Sequence, residues 1–572
     1  MNDHAASVLP VEFSWIGTMK LPEFPSPEMR APSPRLGERG VRGPHSEEER
    51  SVAFHNAARP DSVRVSDAGL RQEFRNPWTI FLLVGIGTFM TMLDASIVNI
   101  SLPSIARTFA TPIGGAIEWV IIAYLVTIAA TLLTFGRLSD MVGRKPVWLA
   151  GLALFTLGSG ACGAASSLPF LIGARVFQGL GGALLFSTSI AIITDAFPTE
   201  KRGFALGCNA VVIALGSSAG PVLGGLITEH WNWRWIFFVN LPLGICALVA
   251  SQRLLRNIVG GQRQRFDPFG AALLAAGFAT LTLALSFAPE WGWSSWRSLL
   301  CFGVSVVALL AVPAVERGVR DPIIDLRLLQ SRVFTSALLS MTLAMLALFA
   351  IGFMLPFYFE ELRGFSVARS GLFLTALPLS IAVVAPVSGL LADRFGSRWL
   401  ASGGLALACL GLVLVAQLDT QSSRWEIILP LVLVGVGQGL FMTPNARALM
   451  NAAPASEQGE SSGLLATGRV LGQSLSVALA GAIFTGLGGA EAGRALVTVA
   501  MSHAAEPAQA AAWQKTFLSS FHTALLACAW VAAAGIGTAL IGGTEASSLL
   551  PRPLMRPRKH LSNQNTIYET LP

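Results

Sequence analysis

The sequence predicts an all-α integral membrane protein of about 14 spans, and three observations carry that reading. The first is composition: of 572 residues, 53% are apolar and 13% are charged, with a mean hydropathy of +0.59. A soluble chain of this length needs far more charge to cover its surface. The second is segment length. Apolar residues come in runs of roughly 18–25, the length at which a helix crosses about 30 Å of hydrocarbon. The third is that these runs lack the alternating polarity of barrel strands, which are about ten residues long.

Residues 1–76 hold eight prolines, ten basic and eleven acidic residues, with no sustained apolar period, and read as a disordered cytoplasmic tail. No uninterrupted apolar core precedes a small-residue cleavage site, so the tail does not read as a secretory signal. The expected spans follow at 78–102, 117–136, 147–166, 168–195, 204–228, 234–252, 268–288, 298–315, 333–358, 370–391, 398–417, 426–448, 462–487 and 519–543. The stretch from Gly481 to Gly493 also reads as a frayed end, and a second cytoplasmic tail occupies 545–572. The six cysteines stand singly in apolar runs and the seven histidines form no cluster, so neither disulfides nor a metal site is expected.

Lys and Arg placement orients the spans. With the tail inside, basic residues gather in the inner loops, among them Arg144, Lys145, Lys201, Arg202, Arg253, Arg317 and Arg394. That bias puts both termini in the cytoplasm. Trp231, Trp233, Trp235, Trp291, Trp293 and Trp296 then fall at the outer surface, where indoles favour the headgroup layer. The net charge of +7 is thereby accounted for by topology, without nucleic acid.

An internal repeat organises the chain. Gly136, Asp140 and Gly143 follow span two, with Arg144 and Lys145 after them; Gly389, Asp393 and Gly396 follow span ten, with Arg394 and Arg398 nearby. Gln178-Gly179 in span four is echoed by Gln438-Gly439 in span twelve at nearly the same displacement. Six-span units at 77–256 and 321–544, flanking an inserted pair at 257–320, account for both echoes. Paired halves are the mark of transporters that rock two bundles about a central site.

Ionisable residues inside spans are costly and point to function. Asp94 lies about 24 Å from the inner face and Arg175 about 10 Å below the outer one, which gives them similar depth. A carboxylate beside a cation is a natural proton switch. The plainer alternative for Asp94 is an interhelical bond, and for Arg175 a structural tie. Gly216, Gly220 and Gly224 stand four apart in span five, with Pro221 and Gly225 beside them. They form a smooth stripe for close helix approach.

Several weaker candidates complete the set. Glu118 begins span two at the outer face and is a further candidate for proton or substrate coupling; Glu360 and Glu361 end span nine there, solvated or guiding cations. Arg469 snorkels near the inner face. Asp195 is within reach of the basic loop after span two. Tyr124, Gln178, Asn209, Gln438 and Asn445 are candidates for a cavity wall.

Together these motifs resemble the major facilitator superfamily, and specifically its 14-span drug:proton antiporters of the EmrB/QacA type. The resemblance runs from about Asn76 to Thr544. It rests on Leu93 to Pro103, Arg175 to Gly179, Gly216 to Gly225 and Trp233 to Gly244. It implies the major facilitator fold, two six-helix bundles plus two inserted helices, and export by alternating access driven by the proton gradient, without a cofactor. It implies Asp94 as proton or drug carboxylate, Arg175 as its assistant, and the loop around Asp140 as a gate. Met141 departs from the basic residue usual in that loop. The implied partners are protons, drug-like small molecules and the lipid bilayer, and the resemblance admits a periplasmic adaptor and an outer-membrane channel. Proton-coupled uptake of a metabolite shares the fold. A membrane enzyme needs a catalytic cluster that the sequence lacks.

Overall fold

The computed structural model describes residues 76–111, 115–255, 267–317, 327–454, 458–502 and 507–542. Both expected tails and the segments flanking the inserted pair lie outside the described residues. In chain order the helices are α1 (Pro77–Thr108), α2 (Trp119–Val142), α3 (Arg144–Gly163), α4 (Leu168–Ala196), α5 (Thr199–His230), the short α6 (Trp235–Phe238) and α7 (Asn240–Leu254). The inserted pair is α8 (Pro268–Trp291) and α9 (Trp296–Glu316). Then come α10 (Arg332–Phe357), α11 (Val367–Leu374), α12 (Ala376–Phe395), α13 (Ser397–Val415), α14 (Arg424–Ala452), α15 (Gln458–Gly486), α16 (Gly489–Ser502) and α17 (Pro507–Ile541). Among the described residues thirteen helical stretches, some joining two of these helices, are long and apolar enough to cross a membrane, and fourteen if the bent pair α15–α16 is one span.

Polar caps start many of these helices. Asn76, Ser167, Asp267, Ser295, Ser331 and Ser366 each accept a hydrogen bond from a backbone N–H of the first turn. Ser423 and Glu426 form a reciprocal capping box at the start of α14. Such bonds satisfy amide donors that have no partner within the helix.

Some boundaries differ from those read in the sequence. α1 continues through Pro103 to Thr108, and α10 runs on through a π turn to Leu362. The stretch taken for a frayed end is a 72° bend at Gly488, whose φ of +82° suits a residue without a Cβ. The last helix begins at Pro507, about a dozen residues before the expected span.

The repeat is visible in backbone geometry. Gly143 ends α2 and opens α3 with φ 105° and ψ 150°. Gly396 does the same between α12 and α13 with φ 78° and ψ 152°. At each of the two turns a single residue thus reverses the chain, in a region that is nearly glycine-only. Gly179 packs α4 on α2, where an added Cβ would meet Tyr124 O at 2.9 Å, and Gly439 packs α14 on α12, where it would meet Val384 at 3.1 Å.

Helices α1–α7 pack mainly among themselves, as do α10 and α12–α17, while the short α11 packs chiefly on α5; the two sets make the two six-span bundles. The inserted α8 rests on α2 of the first set and α15 of the second. Large apolar side chains such as Leu299, Leu310, Leu379, Val383 and Leu390 face outward, a surface suited to lipid and costly in water. Of the tryptophans, Trp231, Trp235, Trp293 and Trp296 are exposed. Trp233 is not: it is buried, donates to Thr108 Oγ1 at 3.0 Å and lies under the Arg234 guanidinium. It pins two loops at the same end.

Gly143→Ala and Gly396→Ala should each cost about 1–3 kcal/mol of stability, read as a lower unfolding temperature in detergent. A loss confined to one of them would contradict equivalent roles for the two turns.

Candidate functional site

Helices α1, α2, α4 and α7 converge on one buried charge. Arg175 Nη1 on α4 donates to Asp94 Oδ2 on α1 at 2.6 Å. Its Nε donates to Val120 O at 2.8 Å, and Nη1 also to Gln178 Oε1 at 2.7 Å. Asp94 Oδ1 accepts from Gln178 Nε2 at 2.8 Å and from Asn240 Nδ2 at 3.3 Å. Asn240 is steadied by Ser159 Oγ at 3.0 Å. All of these side chains are buried. A fully paired and bonded ion pair is tolerated in low dielectric, whereas either partner alone is strongly destabilising.

A central cavity of about 250 Å³ lies between the two helix sets. Its walls are mainly apolar, and the polar interruptions include Asn99, Tyr124, Ser217, Gln438, Arg469 and Gln473. Tyr124 belongs to both features. It lines the cavity, and the Arg175 Cζ sits 4.2 Å from its ring centroid, a cation–π contact. One aromatic ring therefore separates the charge pair from the cavity, and Asp94 itself does not reach the cavity wall.

The glycine stripe of α5 faces α1. A Cβ at Gly216 would lie 2.8 Å from Met92 Cβ, one at Gly220 would collide with the Ser96 side chain, and one at Gly224 would lie 2.6 Å from Ile100. Gly225 turns the other way, towards α11, where a Cβ would meet Val367 O at 2.7 Å. The same stripe therefore serves packing within one bundle and contact with the other.

Polar contacts reinforce the joint between the bundles at the tryptophan-bearing end. Arg107 at the end of α1 pairs with Glu360 beyond α10 at 2.5 Å. Glu229 at the end of α5 accepts from the Ala368 N–H at the start of α11, at 2.8 Å. At the basic end, Arg144 pairs with Asp195 and donates to Ala191 O at 2.7 Å. Lys145 donates to Gln252 O at 2.8 Å. That loop thus ties α3 to α4 and α7.

Glu118 stands apart from these pairs. It is buried at the start of α2, against Gly481 of α15, and neither of its carboxylate oxygens has a hydrogen-bond partner. Ser286 and Glu290 of the inserted α8 are its polar neighbours, Ser286 without a bond of normal geometry.

The expected residues divide accordingly. Asp94, Arg175 and Gln178 come together, and Tyr124 and Gln438 line the cavity. Asn209 and Asn445 are buried but do not line it; Asn445 is bonded to Ser340 Oγ and Ala337 O. Glu360 is buried and paired, not solvated. Arg469 lines the cavity instead of snorkelling to the inner face. Gly136 has nothing within 4 Å of a built Cβ. Asp140, Asp393 and Arg394 sit on α2 and α12, but their side chains lie outside the described residues. Asn240, Ser159 and Arg107 were missed. Asn240 falls inside the Trp233 to Gly244 motif, which marked it only as part of a pattern.

Comparison with known proteins gives a consistent picture. The family model of the Major Facilitator Superfamily matches residues 84–477 and 337–563. The chain is 33% identical to the riboflavin transporter RibZ of Clostridioides difficile, over 72% of this chain and 89% of that one. It is 32% identical to the multidrug resistance protein Stp of Mycobacterium tuberculosis, over 70% and 75% respectively. A solved bacterial homologue of the human lysosomal transporter Spinster superposes with a TM-score of 0.59 at 16% identity, covering 83% of this chain and 100% of that one.

Arg175→Met leaves Asp94 buried without its cation and should cost about 3–5 kcal/mol. Adding Asp94→Asn should restore most of that loss in a thermal unfolding assay. Equal stability of the single and double variants would mean that the pair is uncoupled.

Proposed function

The chain belongs to the Major Facilitator Superfamily, and on that premise we propose that it is a proton-coupled exporter of drugs and other small amphipathic compounds. It works by alternating access in the cytoplasmic membrane, with both termini cytoplasmic and the tryptophan-bearing end outside. The single observation that carries the reading is the buried Asp94–Arg175 pair, one ring away from a cavity between two helix bundles.

In this reading Asp94 is the acid that takes and releases the proton. Protonation removes one of two mutually compensating charges, so Arg175 must find other partners and α1 and α4 repack. Tyr124, sandwiched between Arg175 and the cavity, passes that change to the bound compound. The α5 stripe then acts as the joint: Gly216, Gly220 and Gly224 hold α1 close, and Gly225 meets the second bundle at α11. The Arg107–Glu360 pair closes the outer end while the cavity loads from the cytoplasm. The loop around Gly143 and Arg144 is the corresponding gate at the inner end. Energy comes from the proton gradient alone, with no cofactor. Export is supported by the resistance relative, while the riboflavin transporter favours a second reading, transport of a vitamin-sized metabolite.

Inverted vesicles carrying the protein should accumulate dye in an acidified lumen and dissipate the imposed pH gradient. Vesicles with equal amounts of Asp94→Asn should do neither, a loss of about tenfold or more, since the proton-carrying group is removed. If both act alike, Asp94 is a packing residue. If compounds move with the proton instead of against it, the protein is an uptake permease.

A further inference from the structure

The cavity wall carries an arginine that no described residue neutralises. Arg469 lies about 11 residues into α15, some 16 Å along the helix axis, and lines the cavity. Among the described residues it makes no ion pair, hydrogen bond or aromatic contact, in contrast to Arg175, which is held by Asp94. No described Asp or Glu lines the cavity with it. A cation exposed to an apolar cavity without a counter-charge is costly, and a bound anion would offset that cost.

Its neighbours fit the same task. Gln473 is four residues further on and so shares its face of α15. Gln438 approaches from α14 and Asn99 from α1. Gln438 Nε2 meets only the Met345 sulfur, at 3.9 Å, and so keeps donor capacity free for a ligand. Carboxamide N–H groups beside a guanidinium suit a carboxylate, sulfonate or phenolate oxygen. The rest of the wall, including Phe186 and Phe349, suits an aromatic or aliphatic body.

We infer that the central cavity binds amphipathic organic monoanions, with Arg469 as the group that takes the acidic head. The inference rests on reading the cavity as the transport site. It sets aside the preference for lipophilic cations that a buried acid suggests, because Asp94 is compensated by Arg175 and walled off by Tyr124, so the cavity presents a positive charge.

The test is isothermal titration of the full chain in lipid nanodiscs with 2-naphthoate and with 2-naphthylmethylammonium, which share a ring system and differ in charge sign. Wild type should prefer the naphthoate. Arg469→Gln should weaken naphthoate binding about 10- to 100-fold, as expected for one charge-assisted contact, and leave the ammonium unchanged or tighter. Arg469→Lys, which keeps the charge, should retain most of the anion affinity, and Gln473→Leu should lose a smaller part. Tighter ammonium binding in wild type, or equal naphthoate binding with and without Arg469, would overturn the inference. Binding requires no gradient. Naphthoate binding through Arg469 without pH-driven efflux therefore defeats the coupling reading alone, and pH-driven efflux without anion preference defeats this one alone.

Discussion

Burying Asp94 and Arg175 together is the constraint on which the first bundle is built. Each charge alone would be expelled from a low-dielectric interior, so the four helices around them must hold both in register. Arg175 on α4 reaches Asp94 on α1 at 2.6 Å and the Val120 carbonyl on α2 at 2.8 Å. Asn240 brings in α7. The pair also needs α4 to lie close to its neighbours. Gly158 faces the Gln178 backbone across the α3–α4 contact, and Gly179 faces Tyr124 O across the α2–α4 contact. Small residues at these points are therefore required by the charge, and no separate packing argument is needed for them.

The second bundle repeats the backbone but not the charge. Gly439 does for α14 and α12 what Gly179 does for α4 and α2. Gln438, at the place of Gln178, has no acid to hold and faces the cavity. The halves are thus mechanically alike and electrostatically different. One contains a sealed ion pair. The other contributes Arg469, an open cation, from α15. Tyr124 touches both the pair and the cavity.

What the sequence made legible was depth, and what it concealed was direction. The similar depth of Asp94 and Arg175 followed from counting residues along straight helices, and the two side chains meet. The Gly143 and Gly396 turns were legible because glycine at equal offsets has a backbone cause. Facing, however, depends on how a helix is rotated within its bundle, which weak amphipathicity in lipid leaves unmarked. Asn209 and Asn445 were expected at the cavity and turned out to be buried in packing contacts. Arg469 was read as near a face because α15 starts earlier than the apolar run does, at Gln458. Glu360 was expected in solvent, but the π turn beyond α10 carries it against Arg107. None of these depends on composition or period.

Alternating access coupled to Asp94 requires the joint between the two bundles to open on protonation, which a distance measurement reads directly. Spin labels at His230→Cys and Leu372→Cys, both exposed positions on α5 and α11, span the joint in a cysteine-free background. Double electron–electron resonance should give one short distance at neutral pH and a growing longer population on acidification. With Asp94→Asn that pH response should vanish. A wild-type distribution that ignores pH, or an undiminished response without Asp94, would contradict the account.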